Sequence, residues 1–518
     1  MAQHKRREEI EQVVVTAQQM RDIEARIFAA GMPVAALMEK VGGLIARHVE
    51  TLYLSSVIRV GILVGPGHNG GDALVVAREL HFQGYQVLLY CPFSKLKELT
   101  AQHAAYANSL GIPSVDEISS LQECNLLIDG LFGYGLERTL NDPVAGAIAQ
   151  LNQWSKPVIS IDLPSGIHTD TGEVLGCAVR ATQTLCLGLW KLGLLQDQAL
   201  DYVGKAELID FGIPYSDVQA VIADPKIKRI TPSQAIATLP IPRPAVTHKY
   251  KQGHLLLICG SKRYAGGAIL TALGARASGV GMLSIAVPES IKLILNAQLP
   301  EALVVGCPEE NGAIAHLNLP NGTDLSSFAA IAIGPGLTIE ATPIIQQVLE
   351  SDRPLVLDAD GLNILAKQGI STITQRQAPT VLTPHAGEFK RLFPDAPDPT
   401  KDRVSAVRSA AHMSGAVVLL KGARTASANP SGQVWINPES TPALARGGSG
   451  DVLTGLLGGL AAQATSLHLS LDAIVATAAW WHSQAGILAA NERTELGVDA
   501  FSLTQYLLPT LQKFSIKE

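Results

Sequence analysis

Two glycine-rich loops, each ending in an aspartate, stand far apart in this 518-residue chain: Gly65-Pro-Gly-His-Asn-Gly-Gly-Asp72 and Arg446-Gly-Gly-Ser-Gly-Asp451. Consecutive small residues ahead of a helix leave backbone N–H groups open and form a concavity suited to phosphate or another anion. The carboxylate at each rim sets acid–base chemistry beside that concavity. Two such loops predict two sites and two activities.

Gly65, Gly67 and Gly70 formally match the dinucleotide fingerprint and follow an apolar run, Val57 to Val64, that reads as a buried strand. A nicotinamide dehydrogenase also needs an acid about 20 residues on, to hold the adenosine ribose. Leu89-Tyr-Cys-Pro-Phe-Ser94 offers none. A P-loop needs Lys where Asp72 stands, and a carboxylate there repels a triphosphate. A plain strand-to-helix turn, with Asp72 favoured by the helix dipole, is the bland alternative. Two further segments weigh against it, Asp129-Gly-Leu-Phe-Gly133-Tyr-Gly-Leu-Glu-Arg-Thr139 and Ile161-Asp162-Leu-Pro-Ser165-Gly166, each with an acid at the end of a predicted strand. Ligands of parallel sheets collect at those carboxyl ends, so Asn69, Asp129, Asp162 and Ser165 are expected to share one crevice.

The second loop runs straight into the apolar helix Val452-Leu-Thr-Gly-Leu-Leu. The N–H groups of Gly448 to Gly450 can face a transferring phosphoryl group, and Asp451 can take a proton from an attacking hydroxyl. The alternative is a glycine-rich helix cap. Leu419-Leu-Lys421-Gly-Ala-Arg-Thr425 adds a cation, amides and a hydroxyl for a nucleotide's phosphates. Thr383-Pro-His385-Ala-Gly-Glu388 adds a carboxylate, Glu388, for magnesium through water.

The elements that must position these loops alternate in strand and helix. Strands are expected at Tyr85–Tyr90, Leu126–Asp129, Val158–Ile161 and Thr184–Leu187, with a helix over Asp72–Phe82. After a Pro-containing segment, Leu239-Pro-Ile-Pro-Arg-Pro244, the alternation restarts at Leu255–Cys259, Ala330–Ile333, Leu355–Leu357, Thr380–Leu382 and Val417–Leu420. Long helices follow from Gly450 and Leu471. This pattern implies mostly parallel sheets covered on both faces. Length alone favours two domains, because single cores rarely grow past about 250 to 300 residues. The boundary is expected near 222, giving domains 1–222 and 223–518.

A content of 47% hydrophobic and 17% charged residues fits a compact α/β protein. The net charge of -6 and the lack of a basic stripe argue against nucleic acid or a membrane as partner, leaving a small molecule. Six cysteines without a C-x-x-C pair read as buried thiols of a reducing compartment. The charged N-terminus lacks a signal-peptide core and no apolar stretch reaches a membrane span, which together place the protein in the cytoplasm.

GxGxNGGD, DxLFGxGLxR and DxPSG, followed by Gly204-Lys-Ala-Glu-Leu-Ile-Asp-Phe-Gly-Ile-Pro214, make residues 10–220 resemble the NAD(P)H-hydrate epimerase domain, a Rossmann-like three-layer fold. The resemblance implies that His68, Asn69, Gly70, Gly71, Asp72, Gly133, Tyr134, Gly135, Leu136, Glu137, Arg138, Thr139 and Asp162 bind the hydrated dinucleotide. Asn69, Asp129 and Ser165 would hold potassium. Inverting one carbon of a carbinolamine needs proton movement, for which Asp162 is a reasonable base. His68 stands where that family usually has Asn, and Ala73 replaces a common Gly.

The second half resembles the ribokinase-like fold and, more narrowly, the nicotinamide nucleotide hydrate dehydratases. The resemblance also rests on His248-Lys-Tyr-Lys-Gln-Gly253, Gly260-Ser-Lys-Arg-Tyr-Ala-Gly-Gly-Ala268, Gly334-Pro-Gly336 and Asp358-Ala-Asp-Gly-Leu-Asn363. It implies that Ala268, Gly336, His385 and Asp451 contact the S hydrate. Lys421, Gly422, Ala423, Arg424, Thr425 and Gly450 would serve the nucleotide, with ADP as donor, magnesium as cofactor and Asp451 as base. Thr338 departs from a frequent Gly. The expected substrates are the hydrates of NADH and NADPH (NADHX and NADPHX) and ADP, in a homo-oligomer. The rivals are a small-alcohol kinase of the same fold and, for the first half, a non-catalytic dinucleotide-binding module.

Overall fold

The computed structural model describes residues 2–54 and 58–515, and divides the chain into Met1–Pro225 and Lys226–Glu518. Of the expected strand Val57–Val64, Arg59–Val64 is observed, while Val57 lies outside the described residues.

In the first unit seven strands form one wholly parallel sheet. Their spatial order is Ser114–Val115, Gln86–Tyr90, Arg59–Val64, Leu126–Gly130, Val158–Ile161, Gln183–Leu187 and Lys205–Ile209. The central strands are buried on both faces, as their unbroken apolar runs require. Parallel pairing sets every carboxyl end on one edge. The register that matches Leu63 with Asp129, and Asp129 with Ser160, brings the first loop beside the two acidic strand ends.

The helix after the first loop starts at His68, four residues before the expected Asp72, with Gly67 as its cap. His68 to Gly71 are therefore helical, and Asp72 sits on a buried turn. Glycine disfavours helix interiors. Burial of the continuous run Gly70 to Ala77 outweighs that preference here.

The second unit is built on a ten-stranded sheet in the order Ile227–Arg229, Val434–Ile436, Ala426–Ala428, Val417–Leu420, Thr380–Leu382, Leu355–Leu357, Ala330–Ile333, His254–Ile258, Met282–Pro288 and Leu303–Cys307. Only Ala426–Ala428 runs against its neighbours. The helix Ser449–Leu467 is buried over most of its length and crosses Ala265–Ala277 almost backbone to backbone. A Cβ on Gly455 would come within 1.7 Å of the Thr271 carbonyl oxygen, and one on Gly274 within 2.2 Å of that of Val452. This crossing sets Gly267 and Asp451 against each other.

None of the six cysteines forms a disulfide, with Cys124, Cys186, Cys259 and Cys307 buried and Cys91 and Cys177 half-buried. No single described helix is long and apolar enough to cross a membrane.

Candidate active sites

A cavity of about 700 Å³ opens at the carboxyl edge of the first sheet. Its wall includes His68, Asn69, Asp72, Gly133, Tyr134, Gly135, Leu136 and Asp162. Gly133 marks where the segments meet, because a Cβ there would stand 3.1 Å from both Asn69 Oδ1 and Asp162 Oδ2. Gly70 and Gly71 are buried inside the helix, and Glu137, Arg138 and Thr139 are exposed beyond the cavity wall.

Asp162 follows its strand at φ 69°, a left-handed conformation that Asp tolerates better than most residues. Each of its partners is a donor: the Tyr134 N–H at 3.0 Å, the Leu187 N–H at 3.2 Å and the Lys191 ammonium at 2.5 Å. Lys191 is fully buried. Burial alone would lower its pKa, yet Asp162, Cys186 and Glu24 together hold it raised. Burial also pushes Asp72 well above the ordinary carboxylate range, with the charges of Asp162 and Glu24 adding to the shift.

Asp129 and Ser165 lie beneath the wall, fully buried. Asp129 Oδ1 accepts from Leu131 N and Ser165 Oγ, and Oδ2 from Ser160 Oγ and Ser165 N, at 2.6 to 3.2 Å. Burial raises the Asp129 pKa and those four bonds oppose the rise. The pair locks the two strand ends together. Phe132 N donates to Ser165 Oγ at 2.9 Å, which fixes the loop carrying Gly133 and Tyr134.

Lys191 and Glu24 escaped the sequence reading. Lys191 left a trace, as the lone cation in the apolar run Leu185 to Leu195. Glu24 left none, since a charge on an amphipathic helix reads as solvent-facing.

In the second unit Gly336 and Asp451 line a cavity of about 530 Å³ with Arg263, Tyr264, Gly267, Thr338 and Asp360. No side-chain donor among the described residues bonds the Asp451 carboxylate, and a Cβ on Gly267 would stand 3.3 Å from its Oδ2. Burial, with Asp358 adding and Lys421 opposing, pushes Asp451 up to about 7. Ala268 is buried behind this cavity, and Thr338, at φ 70°, donates its N–H to Asp360 Oδ2 at 2.9 Å.

The other segments meet at Lys421. Its Nζ donates to Asp358 Oδ1 at 2.6 Å, Thr454 Oγ1 donates to Asp358 Oδ2 at 2.5 Å, and a Cβ on Gly450 would lie 3.4 Å from that Nζ. Lys421 N donates to the Pro384 carbonyl, which joins the Lys421–Thr425 turn to the His385 turn. His385 is an exposed helix cap whose Nδ1 accepts from Gly387 N and Glu388 N. Glu388 completes the capping box by accepting from His385 N at 2.9 Å. Burial raises the Glu388 pKa, and Lys421 opposes the rise. Gly422 and Ala423 are exposed, Arg424 is half-buried, and Thr425 Oγ1 closes the turn on the Gly422 carbonyl at 2.9 Å.

Two braces were invisible in the sequence. Arg403 Nη1 reaches the carbonyl of Leu420 at 3.2 Å and that of Lys421 at 3.4 Å from below the turn. Burial pushes His482 down to about 4, so it is neutral and its Nε2–H donates to the Ser449 carbonyl at 2.9 Å. That bond anchors the first turn of the Asp451 helix.

Comparison with known proteins divides the chain in the same way. The family model described as NAD(P)H-hydrate dehydratase matches residues 255–509, and that described as YjeF-related protein N-terminus matches residues 34–193. Over 97% of its length the chain is 55% identical to a bifunctional NAD(P)H-hydrate repair enzyme of Synechocystis, of which it covers 95%. It is 51% identical to the enzyme of that name from Thermosynechococcus vestitus, over 96% of this chain and 97% of the relative. A solved ADP/ATP-dependent NAD(P)H-hydrate dehydratase of Bacillus subtilis is 33% identical, with a TM-score of 0.47, over 55% of this chain and 97% of that one. With two cavity-bearing α/β units and relatives matched end to end, the chain belongs to the bifunctional NAD(P)H-hydrate repair enzyme family.

Proposed function

We propose that the first unit interconverts the R and S hydrates of NADH and NADPH, and that the second dehydrates the S hydrate at the expense of ADP, leaving AMP and phosphate. One observation carries this reading: a single chain holds two cavities whose carboxylates are set differently. Asp162 is clamped to a buried ammonium, while Asp451, pushed up to about 7, carries no side-chain donor among the described residues. The first arrangement suits proton shuttling on a carbinolamine. The second suits a base that deprotonates an attacking hydroxyl at physiological pH.

In the second unit Asp451 takes the proton of the hydrate's hydroxyl, whose oxygen attacks the terminal phosphorus of ADP. AMP leaves, and the helix N-terminal amides at Gly448 to Gly450 stabilise the spreading charge. The phosphorylated carbon then loses phosphate and its neighbour loses a proton, which restores the dihydropyridine. Ala268, Gly336 and His385 would bound the hydrate, with Lys421 to Thr425 and Gly450 on the nucleotide. A dehydratase confined to one epimer recovers part of a damaged pool, and a fused epimerase opens the rest to it.

Potassium would sit at Asn69, Asp129 and Ser165. Among the described residues Asn69 Oδ1 accepts no hydrogen bond, so the oxygen is open to an ion, and Nδ2 is buried without a partner. Asp129 would add charge, its acceptor positions being filled by Leu131, Ser160 and Ser165. Magnesium would bind through water to Glu388, whose Oε2 accepts from His385 N while its Oε1 accepts no hydrogen bond among the described residues, and would neutralise charge on the transferring phosphoryl group. We place the protein in the cytoplasm as a homo-oligomer.

The test is a time course of reduced-nicotinamide absorbance with mixed R and S NADH hydrate and ADP, repeated with ATP. Recovery of both epimers faster than spontaneous epimerisation is expected. Recovery of the S portion alone would reduce the first unit to a binding module, and a stable phosphate ester would make the second a kinase.

A further inference from the structure

The first cavity contains a carboxyl that none of the glycine-rich segments supplies. Glu24 stands half-buried on the helix Ala17–Ala29 and lines the cavity with Tyr134, Asp162 and Lys191. The Tyr134 hydroxyl donates to Glu24 Oε2, while the Tyr134 main-chain N–H donates to Asp162 Oδ2 at 3.0 Å. One residue therefore ties both carboxyls to the cavity wall. The Lys191 ammonium, on the other oxygen of Asp162, lies 5.7 Å from the centre of the Tyr134 ring.

We infer that Glu24 is the second proton-transfer group of the epimerisation, working with Asp162 on the hydrated ring while Tyr134 orients both. The inference rests on reading the first unit as an epimerase. Inverting a carbinolamine carbon through ring opening needs a base at its hydroxyl and an acid at its nitrogen. Asp162 takes the hydroxyl proton, the oxygen's electrons form the carbonyl, and the C–N bond breaks with its pair going to nitrogen. Glu24 protonates that nitrogen. The aldehyde turns about its C–C bond, nitrogen adds to the other face and returns its proton to Glu24, and the oxygen recovers its proton from Asp162. Atoms, charge and oxidation state are unchanged.

The groups facing Glu24 suit this division of labour. Tyr134, Lys191, Asp162 and Asp72 surround it, with Arg21 on its own helix also at the cavity. Burial is the largest influence and raises its pKa, against the Tyr134 hydrogen bond and the pull of Lys191. Two carboxyls in unlike surroundings, one holding its proton longer and one clamped by donors, make an acid–base pair.

The experiment uses the full chain and purified R hydrate of NADH without ADP, following R–S interconversion by chromatography across pH. ADP-dependent dehydration of the S hydrate serves as an internal control for folding of the second unit. Glu24→Gln should lower kcat for interconversion by about 10²- to 10⁴-fold, hold KM within about threefold and remove the alkaline limb of the profile. Glu24→Asp should restore part of the rate. Tyr134→Phe removes a bond that lowers the Glu24 pKa, so its alkaline limb should move to higher pH. If Glu24→Gln fails to fold, the movement of that limb decides, and a limb that stays put overturns the inference. Unchanged kcat in Glu24→Gln, or a loss confined to KM, overturns it while leaving the epimerase reading intact. A wild-type chain that does not interconvert the epimers overturns both.

Discussion

A methyl group added at Gly65 would lie 1.7 Å from the Leu131 carbonyl oxygen and one at Gly70 would lie 1.9 Å from that of Gly65, whereas one at Gly447 meets nothing within 4 Å. The two loops share a composition and use it differently. In the first, glycine lets one backbone press on another, which carries Asp72 into a buried helical turn at the cavity wall, beside His68, Asn69 and the strand-end acid Asp162. In the second, Gly447 borders open space, Gly448 takes a left-handed conformation, and the acid at the start of the helix faces the cavity directly. Both glycine-rich, acid-ended loops thus border a cavity, the first with its acid held within packed backbone and the second with its acid at an open helix start.

The sharpest way to break this comparison is at the two acids. Asp451→Ala should reduce ADP-dependent dehydration by at least about 10²- to 10⁴-fold, the usual worth of a positioned base, with ADP binding retained by calorimetry. Substantial residual turnover would move the base elsewhere. In the wild type the rate should climb through about pH 7 and level above it, because Asp451 acts deprotonated. The sign for stability is opposite. A folded pKa above the unfolded one means that the stabilisation present at low pH is lost as pH rises through about 7.

Asp162→Asn separates chemistry from backbone strain, since Asn also tolerates the positive φ at this position. Interconversion should fall by about 10²-fold or more. The unit should also lose about 3 to 5 kcal/mol in denaturant titration, because the buried Lys191 ammonium is left without its carboxylate. Lys191 Nζ also donates to the Leu187 carbonyl at 2.5 Å, and a variant of native stability would show that this bond and Glu24 suffice to hold that charge.

Much of this contrast was legible in the sequence. The strand ends bearing Asp129 and Asp162 could be found because buried parallel strands read as apolar runs stopped by an acid, and Asp451 because a glycine run met an apolar helix. Short strands such as Ser114–Val115, Ile227–Arg229 and Ala426–Ala428 went unread, being too brief to carry a period. Glu24, Arg403 and His482 were hidden for a different reason. Each acts on a segment remote in the chain, and its local surroundings are those of an ordinary helix. The helical start at His68 carries no apolar spacing of its own, because the periodic residues begin only at Leu74.

The finest division between the loops is one methyl group at each. In a helix interior Gly→Ala ordinarily gains about 0.5 to 1 kcal/mol. At Gly70 that gain is set against contact with the rigid Gly65 backbone at 1.9 Å, where overpacking typically costs about 1 to 3 kcal/mol. Gly70→Ala should therefore lower the denaturation midpoint of the first unit and impair interconversion with it. Gly447→Ala meets open space without a positive φ, so its stability should stay within about 0.5 kcal/mol of the wild type. Equal melting losses in the two variants would mean that the second loop is also held by backbone packing, and its claim to be an open anion site would fall.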